Sequence, residues 1–310
     1  MSRKFRFGIQ TPRASSGEEW AAKARKIEDL GFSALFIPDH FEDQLAPLLA
    51  LTAAAAATTT LRVGTMVLDN DYRHPLVLAK ELATLDVLSG GRLEIGIGAG
   101  WMRSDYTQSG IPYDRPGVRI ERLAESLAIL KGLFADGPFS FSGRHYQIES
   151  HNGTPKPVQK PHPPILVGGG ARRVLSLADR EADIVGVNFV LAEGMVNPAV
   201  AVTGSAAATR EKLAWVREAA GDRFDRLELN ATIFVTAVTD DPRAMAERVA
   251  PGFGLTPDDV LDSPHVLVGS VEQMMDALQQ RREEYGFSYV VFSGDVFDAV
   301  APVVKRLAGT

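Results

Sequence analysis

The sequence predicts a closed (β/α)8 barrel, and three observations carry that expectation. Strand-like and helix-like segments alternate from one end of the chain to the other, which points to a parallel sheet covered by helices. The strand-like runs are short and apolar, as strands buried on both faces require. Eight such β-then-α units fit within the 310 residues, which suits a closed TIM barrel better than an open sheet. No change of composition marks a linker, so residues 1–310 are expected to form one barrel domain with an excursion at about 137–163.

The elements come in order along the chain. KFRFGIQ (4–10) alternates and is β-rich. Ser16 and Glu19 have capping-box spacing and open a helix that runs to Asp29 and stops at Gly31. SALFIPD (33–39) is the second strand, and the alanine-rich stretch from Gln44 to Thr59 reads as helix. LRVGTMVL (61–68) is the third strand, and Pro75 sits well for the first turn of a helix reaching Leu88. RLEIGIGAG (92–100) is the fourth, followed by a helix from Pro116 to Phe134. FSFSGRHYQIES reads as a hairpin and KPVQKPHPP leads back, so residues 137–163 are expected at the barrel rim. PILVGGG (164–170), DIVGVN (183–188), LELNATIFVT (227–236) and YVVFSG (289–294) supply the last four strands. Helices are expected near 171–181, 208–220, 242–250 and 271–285, with a final one from Asp295 to Leu307.

Composition narrows the function classes. A net charge of −6 argues against nucleic acid or an anionic membrane as partner. The absence of cysteine removes disulfides, thiolate metal sites and cysteine nucleophiles. MSRKFRFGIQ has no apolar leader core, and no run of about 18 apolar residues occurs, so a cytoplasmic location is expected.

In such a barrel, chemistry collects at the C-terminal strand ends. These are Gln10, Asp39-His40, Thr65 to Asn70, Gly96 to Trp101, Gly168 to Gly170, Asn188, Thr236 and Ser293-Gly294. Acids are few and no HxH pair exists, so no metal site is expected. Gly96, Gly98 and Gly100 leave one face of a strand end bare. They either admit a ligand against backbone or relieve crowding inside the barrel. Gly168 to Gly170 open into a helix whose first turn carries Arg172 and Arg173. That is either an anion site or a tight turn with solvated arginines. His40 is a candidate proton-transfer group beside Asp39, which could fix its tautomer, or else a structural residue. By local chemistry Tyr72, Arg73 and His74, just before Pro75, allow a reading as capping and surface residues, which is the expectation for Tyr72.

Taken together, FGIQ, IPDHF, VGTMVL, RHPLVLAKELATLDVLSGGRLEIGIGAGW, PPILVGGG, HVLVGSVEQMMDAL, YVVF and APVVKRL resemble the bacterial luciferase-like monooxygenase superfamily. The ordered set covers almost the whole chain. The resemblance implies a barrel that holds a flavin or the deazaflavin coenzyme F420 at its mouth. It also implies a non-proline cis peptide at Met66-Val67 and a phosphate at Gly168, Gly169 and Gly170. Cofactor contacts are implied at Asp39, Thr65, Met66, Val67, Leu68, Gly98, Ala99, Gly100, Trp101, Ser104 and Arg172. His40 matches the family's active-site histidine, with Asp39 as its neighbour. GAGW, the PDH strand end and VGSVEQ look most like the F420-dependent oxidoreductase branch, with an FMN-dependent monooxygenase as the alternative. A cofactor-binding barrel without catalysis is a third reading. Trp101 stands where sugar-phosphate-oxidising relatives carry an acid, which speaks against such a substrate. The expected partners are a small-molecule substrate and a second copy of the chain, paired through the alanine-rich helix. The loop 102–115, the excursion 137–163 and the segment 189–207 are expected to build the substrate pocket.

Overall fold

The computed structural model describes residues 3–310. The chain begins with β1 (Arg6–Gln10), α1 (Gly17–Asp29), β2 (Ala34–Ile37), α2 (Pro47–Ala57), β3 (Arg62–Thr65), β4 (Leu68–Asp69), α3 (Pro75–Leu88) and β5 (Leu93–Gly98). Next come α4 (Arg103–Ser109), α5 (Pro116–Phe134), β6 (Phe139–Ser142), β7 (Gln147–His151), β8 (Ile165–Gly169), α6 (Arg172–Glu181) and β9 (Ile184–Val187). The last third is α7 (Pro198–Val202), α8 (Ala206–Ala220), β10 (Glu228–Ile233), β11 (Val235–Val238), α9 (Pro242–Phe253), α10 (Pro257–Asp262), β12 (Val266–Gly269), α11 (Val271–Tyr285), β13 (Phe287–Ser293) and α12 (Phe297–Leu307).

Strands β1, β2, β3, β5, β8, β9, β10 and β13 pair in that order, every pair parallel, and β13 returns to β1. The TIM barrel is closed, as the alternation of elements predicts. Alternate residues divide between its two faces. Leu35, Ile37, Val290 and Phe292 join the large core between strands and helices. Ala34, Phe36, Met66, Leu166, Ile184, Tyr289 and Val291 form a separate cluster inside the barrel. The Phe36 ring takes the space that side chains at Gly8 and Gly64 would fill; a Cβ there would lie 2.9 Å and 2.5 Å from it.

The N-terminal end of the barrel is closed by charge. Glu94 receives Arg6 at 2.5 Å, Arg62 at 2.6 Å and the Tyr289 hydroxyl at 2.9 Å, and Arg6 also pairs with Glu228 at 2.6 Å. Burial alone would raise the Glu94 carboxyl, but the two guanidinium groups hold it below the usual carboxylate range.

Several elements differ from expectation, each for a local reason. Helix α2 begins only at Pro47, because proline keeps Ala46 extended (φ −62°, ψ 123°). Ser16 caps α1 by accepting from the Glu19 N–H, but the Glu19 carboxylate turns back to Ser15 instead of closing the box. The third strand is interrupted by a cis peptide at Met66-Val67 and resumes as β4. LELNATIFVT is not one strand. It breaks at Phe234, and β11 pairs in parallel with β12 in a small second sheet that the periodicity does not assign. Thr236 therefore lies in that sheet and not at a barrel strand end.

The excursion forms the expected antiparallel hairpin, β6 with β7, and its tip reaches the rim, where the Tyr146 hydroxyl accepts from the Asn70 amide at 3.5 Å and the Tyr146 ring stands edge-on to His74 with ring centres 5.5 Å apart. Helix α5 carries the chain away from the mouth, so the excursion starts at the opposite end. The hairpin lies along α5, where Glu125 accepts from the N–H groups of Arg144, His145 and Tyr146. The return strap reaches the barrel floor, where the Gln159 side chain meets Arg62 and the Leu93 carbonyl. Tyr146 at the hairpin tip, and not the strap, is the part of the excursion that meets the mouth.

Candidate active site

The C-terminal strand ends and the loops after them converge on one mouth. β2 ends in Pro38-Asp39-His40, and the two polar residues take different partners. His40 Nδ1 lies 2.7 Å from Asp105 Oδ2. Asp105, on α4, is buried and also receives the Tyr72 hydroxyl at 3.1 Å and the Phe41 N–H at 3.4 Å. A carboxylate accepts only, so Nδ1 carries the hydrogen of that bond and Nε2 is left to the mouth. Trp101 stands edge-on to the imidazole, with ring centres 5.6 Å apart.

Asp39 is thus not the acid that orients His40, contrary to the expectation from sequence. Arg73 holds it in a forked pair at 2.6 and 3.2 Å, and the Asp69 N–H donates to it at 3.1 Å. Adjacency along an extended strand end turns successive side chains apart, whereas Asp105 approaches from a helix 65 residues on. Tyr72 and Arg73 are likewise site residues and not surface ones. His74 does cap α3, accepting from the Leu76 N–H at 3.2 Å.

A second acidic layer lies beneath. Asp71 is clamped by Arg122 at 2.9 and 2.8 Å. Asp69 has no cation against it among the described residues; it accepts from the Asp71 N–H at 2.9 Å and the Tyr106 hydroxyl at 3.1 Å. Burial pushes its carboxyl up to about 6, with the Asp71 and Asp39 charges adding to the effect. Burial and the nearby carboxylates also raise the phenols of Tyr72 and Tyr106, keeping both as donors.

The bulge after β3 is pinned from the opposite wall. The Gln10 amide donates to the Met66 carbonyl at 2.7 Å, and the Ser293 hydroxyl donates to Gln10 at 3.0 Å. Thr65 is fully buried and ties its hydroxyl to the Gly96 carbonyl at 2.7 Å, while Leu68 points into the core. Val67 is the part of the bulge that stays partly open.

This packing explains the glycine triplet. A Cβ at Gly96 would lie 1.9 Å from the Thr65 carbonyl oxygen, and one at Gly98 would lie 2.8 Å from Val67. At Gly100 it would strike the Tyr106 hydroxyl and the Asp69 carboxylate. The face left bare by the three glycines is filled by the chain's own bulge and acids, so relief of crowding is the cause of their spacing. Ala99, Gly100, Trp101 and Met102 remain partly open at the rim, and Ser104 is exposed on the first turn of α4.

At the other glycine cluster, Gly169 packs under Val174 and Gly170 against the carbonyls of Asn188 and Phe189. Helix α6 follows Ala171, which offers no side-chain cap, and has no acid in its first turn. Arg172 pairs with Glu218 and Arg173 with Glu121, each at 2.9 Å and exposed. The arginines thus balance carboxylates, while the first-turn N–H groups lack a side-chain partner among the described residues.

Sequence reasoning missed Asp105, Tyr106 and Arg122. The only signal for Asp105 and Tyr106 was their place just after a barrel strand end, and Arg122, within α5, carried none. It also missed His265, which lies at the start of β12 and is 1 % exposed.

With this geometry in view, the comparisons with known proteins are informative. A family model described as luciferase-like monooxygenase matches residues 4–248. An FMNH2-dependent dimethylsulfone monooxygenase of Pseudomonas putida is 33 % identical over 180 residues, 58 % of this chain and 47 % of that protein. The match therefore spans about half the length of that relative. The coenzyme F420 dependent tetrahydromethanopterin reductase of Methanopyrus kandleri superposes with a TM-score of 0.78 at 18 % identity, covering 98 % of this chain and 99 % of that one. The EDTA monooxygenase of Chelativorans sp. BNC1 does so with a TM-score of 0.76 at 14 % identity, covering 98 % and 94 %. At such identities the two structures speak to the fold, and the family model speaks to descent. A closed parallel barrel, an interrupted third strand and a family match over most of the length together make this chain a member of the luciferase-like monooxygenase family.

Proposed function

We propose that the protein is a coenzyme F420-dependent oxidoreductase that moves a hydride between the deazaflavin and a small organic substrate at the barrel mouth. The observation that carries this reading is the His40–Asp105 pair, which holds an imidazole with its Nε2 free among the partly open rim residues. When bound, the deazaflavin supplies or accepts the hydride. His40 moves the accompanying proton at its Nε2. Asp105 holds the ring and its tautomer, and Tyr72 holds Asp105. Asp39, fixed by Arg73, presents a second acceptor at the rim.

The residues fit such a cofactor in two ways. The first-turn N–H groups of α6 after Gly168 to Gly170 suit a phosphate. Val67, Ala99, Gly100 and Trp101 offer partly open, largely apolar surface beside His40 for a ring. Thr65, Met66, Leu68 and Gly98 are the residues that hold this surface in place from behind. Arg172 is engaged with Glu218 and would meet a phosphate only by exchanging partners.

A second reading, an FMN-dependent monooxygenase, is favoured by the likeness to the FMNH2-dependent dimethylsulfone monooxygenase of Pseudomonas putida. Titrating the protein with F420 and with FMN decides between them: tighter binding of F420 is expected. His40→Ala is expected to keep cofactor affinity within about twofold and to lower turnover by about 10²–10⁴-fold. Preference for FMN, with oxygen consumed in turnover, would reverse the order of the two readings. Unchanged turnover in His40→Ala would remove the imidazole from the chemistry.

A further inference from the structure

One buried polar group beside the mouth, His265, has a ring nitrogen without a partner among the described residues. Its Nδ1 lies 2.9 Å from the Thr232 carbonyl, which only accepts, so Nδ1 carries the hydrogen and Nε2 is a bare acceptor. That Nε2 is buried and has no partner among the described residues. Leaving a buried acceptor unpaired is unfavourable, and such groups in folded proteins are nearly always satisfied. Burial drives the imidazole pKa down to about 4, aided by the charges of Lys212 and Arg281, so the ring is neutral over the physiological range.

The imidazole lines a cavity of about 20 Å³ with Phe189, Phe234, Phe253, Val260 and Ser263. This is room for one small group, since about 10–15 Å³ admits a water. Phe189 lies tilted against His265 with ring centres 4.7 Å apart, and Phe234 lies 5.3 Å from Phe189. Both phenylalanines sit just beyond barrel strands, β9 and β10, at their C-terminal ends. The Phe189 carbonyl also packs on Gly170, so the cavity shares a wall with the glycine turn of the mouth. Phe234 is 39 % exposed and leads outward from the cavity.

We propose that this cavity is the recognition pocket for the substrate's polar end: an O–H or N–H donor of a neutral, otherwise apolar molecule, donating to His265 Nε2 while its apolar part lies along Phe234. The proposal deepens the oxidoreductase reading and rests on it for the word substrate. The chemistry selects the class. A lone pair at Nε2 repels an anion, and the nearby Lys212 and Arg281 charges oppose a cation. A neutral alcohol, phenol or amide satisfies both conditions and pairs the orphaned acceptor.

The test uses the full-length protein, labelled with 15N-histidine, with benzyl alcohol and benzyl methyl ether as probes. Benzyl alcohol is expected to bind about fivefold more tightly than its ether, the effect of one added hydrogen bond, and to move the His265 Nε2 resonance. His265→Phe is expected to bring the ratio close to one. Phe234→Ala is expected to weaken both probes while keeping the ratio. An unmoved Nε2 resonance in the wild type, or equal affinities, overturns the proposal even if His265→Phe does not fold. The readout does not depend on the cofactor, so failure of both F420 and FMN to bind would defeat the oxidoreductase reading separately.

Discussion

Asp69→Asn is expected to stabilise the protein at neutral pH, and the size of the effect comes from its surroundings. Asp69 is 7 % exposed, accepts two hydrogen bonds and has no cation against it among the described residues. Burial raises its carboxyl from 3.8 to about 6. Between those values the folded state binds more protons than the unfolded chain, so its contribution to stability is lost as pH rises through that window. Above it, ionised Asp69 costs about 3 kcal/mol. Asparagine keeps an oxygen for the Asp71 N–H and the Tyr106 hydroxyl and removes the charge. Its own N–H groups need acceptors, and Asp39 is the adjacent one. The expected gain is about 1–3 kcal/mol at pH 7.5, smaller if those N–H groups stay unpaired. Urea unfolding of both proteins at pH 7.5 and at pH 5 measures it, and the difference should shrink at the lower pH. A variant no more stable than the wild type at pH 7.5, or a gain independent of pH, refutes the assignment of a buried, unbalanced acid.

Glu94→Gln leaves Arg6 and Arg62 facing each other at the barrel floor, and a loss of about 3–5 kcal/mol is expected in urea unfolding. Gly96→Ala drives a Cβ into the Thr65 carbonyl, a backbone clash expected to cost about 3 kcal/mol or more. Gly117→Ala meets only the tip of Arg173 and is expected to stay within about 1 kcal/mol of the wild type; similar losses for the two would contradict the packing. Leu49 on α2, with Val77 and Leu88 on α3, is exposed at 78 %, 50 % and 62 % respectively. We propose that this apolar face, next to the alanine-rich helix, pairs with a second copy. Wild type should sediment at twice the chain mass and Leu49→Asp/Leu88→Asp at the chain mass; a monomeric wild type ends the idea.

The barrel was legible because its strands are short and apolar and alternate with helices. Pro75 and Pro116 mark their helix starts to the residue. Phe234 was not legible as a break. IFVT continues a β-rich run, and only the pairing of β11 with β12 takes it out of the barrel. The candidate site was legible at the strand ends, where the structure places His40 as expected. Its partners were not, because Asp105, Tyr106 and Arg122 come from helices whose rotation about their axes is set by packing. For the glycine triplet, the structure favours relief of crowding, one of the two readings its spacing allowed. Close approach was correctly inferred, but the group that approaches is the bulge at Met66-Val67.

Phe36 gives the barrel a property that concerns traffic. Its ring, seated where Gly8 and Gly64 have no side chains, stops the interior at mid-height, and the charged floor seals the far end. Such a vessel has one door. A cofactor and a substrate bound as proposed above would have to enter and leave through that same opening.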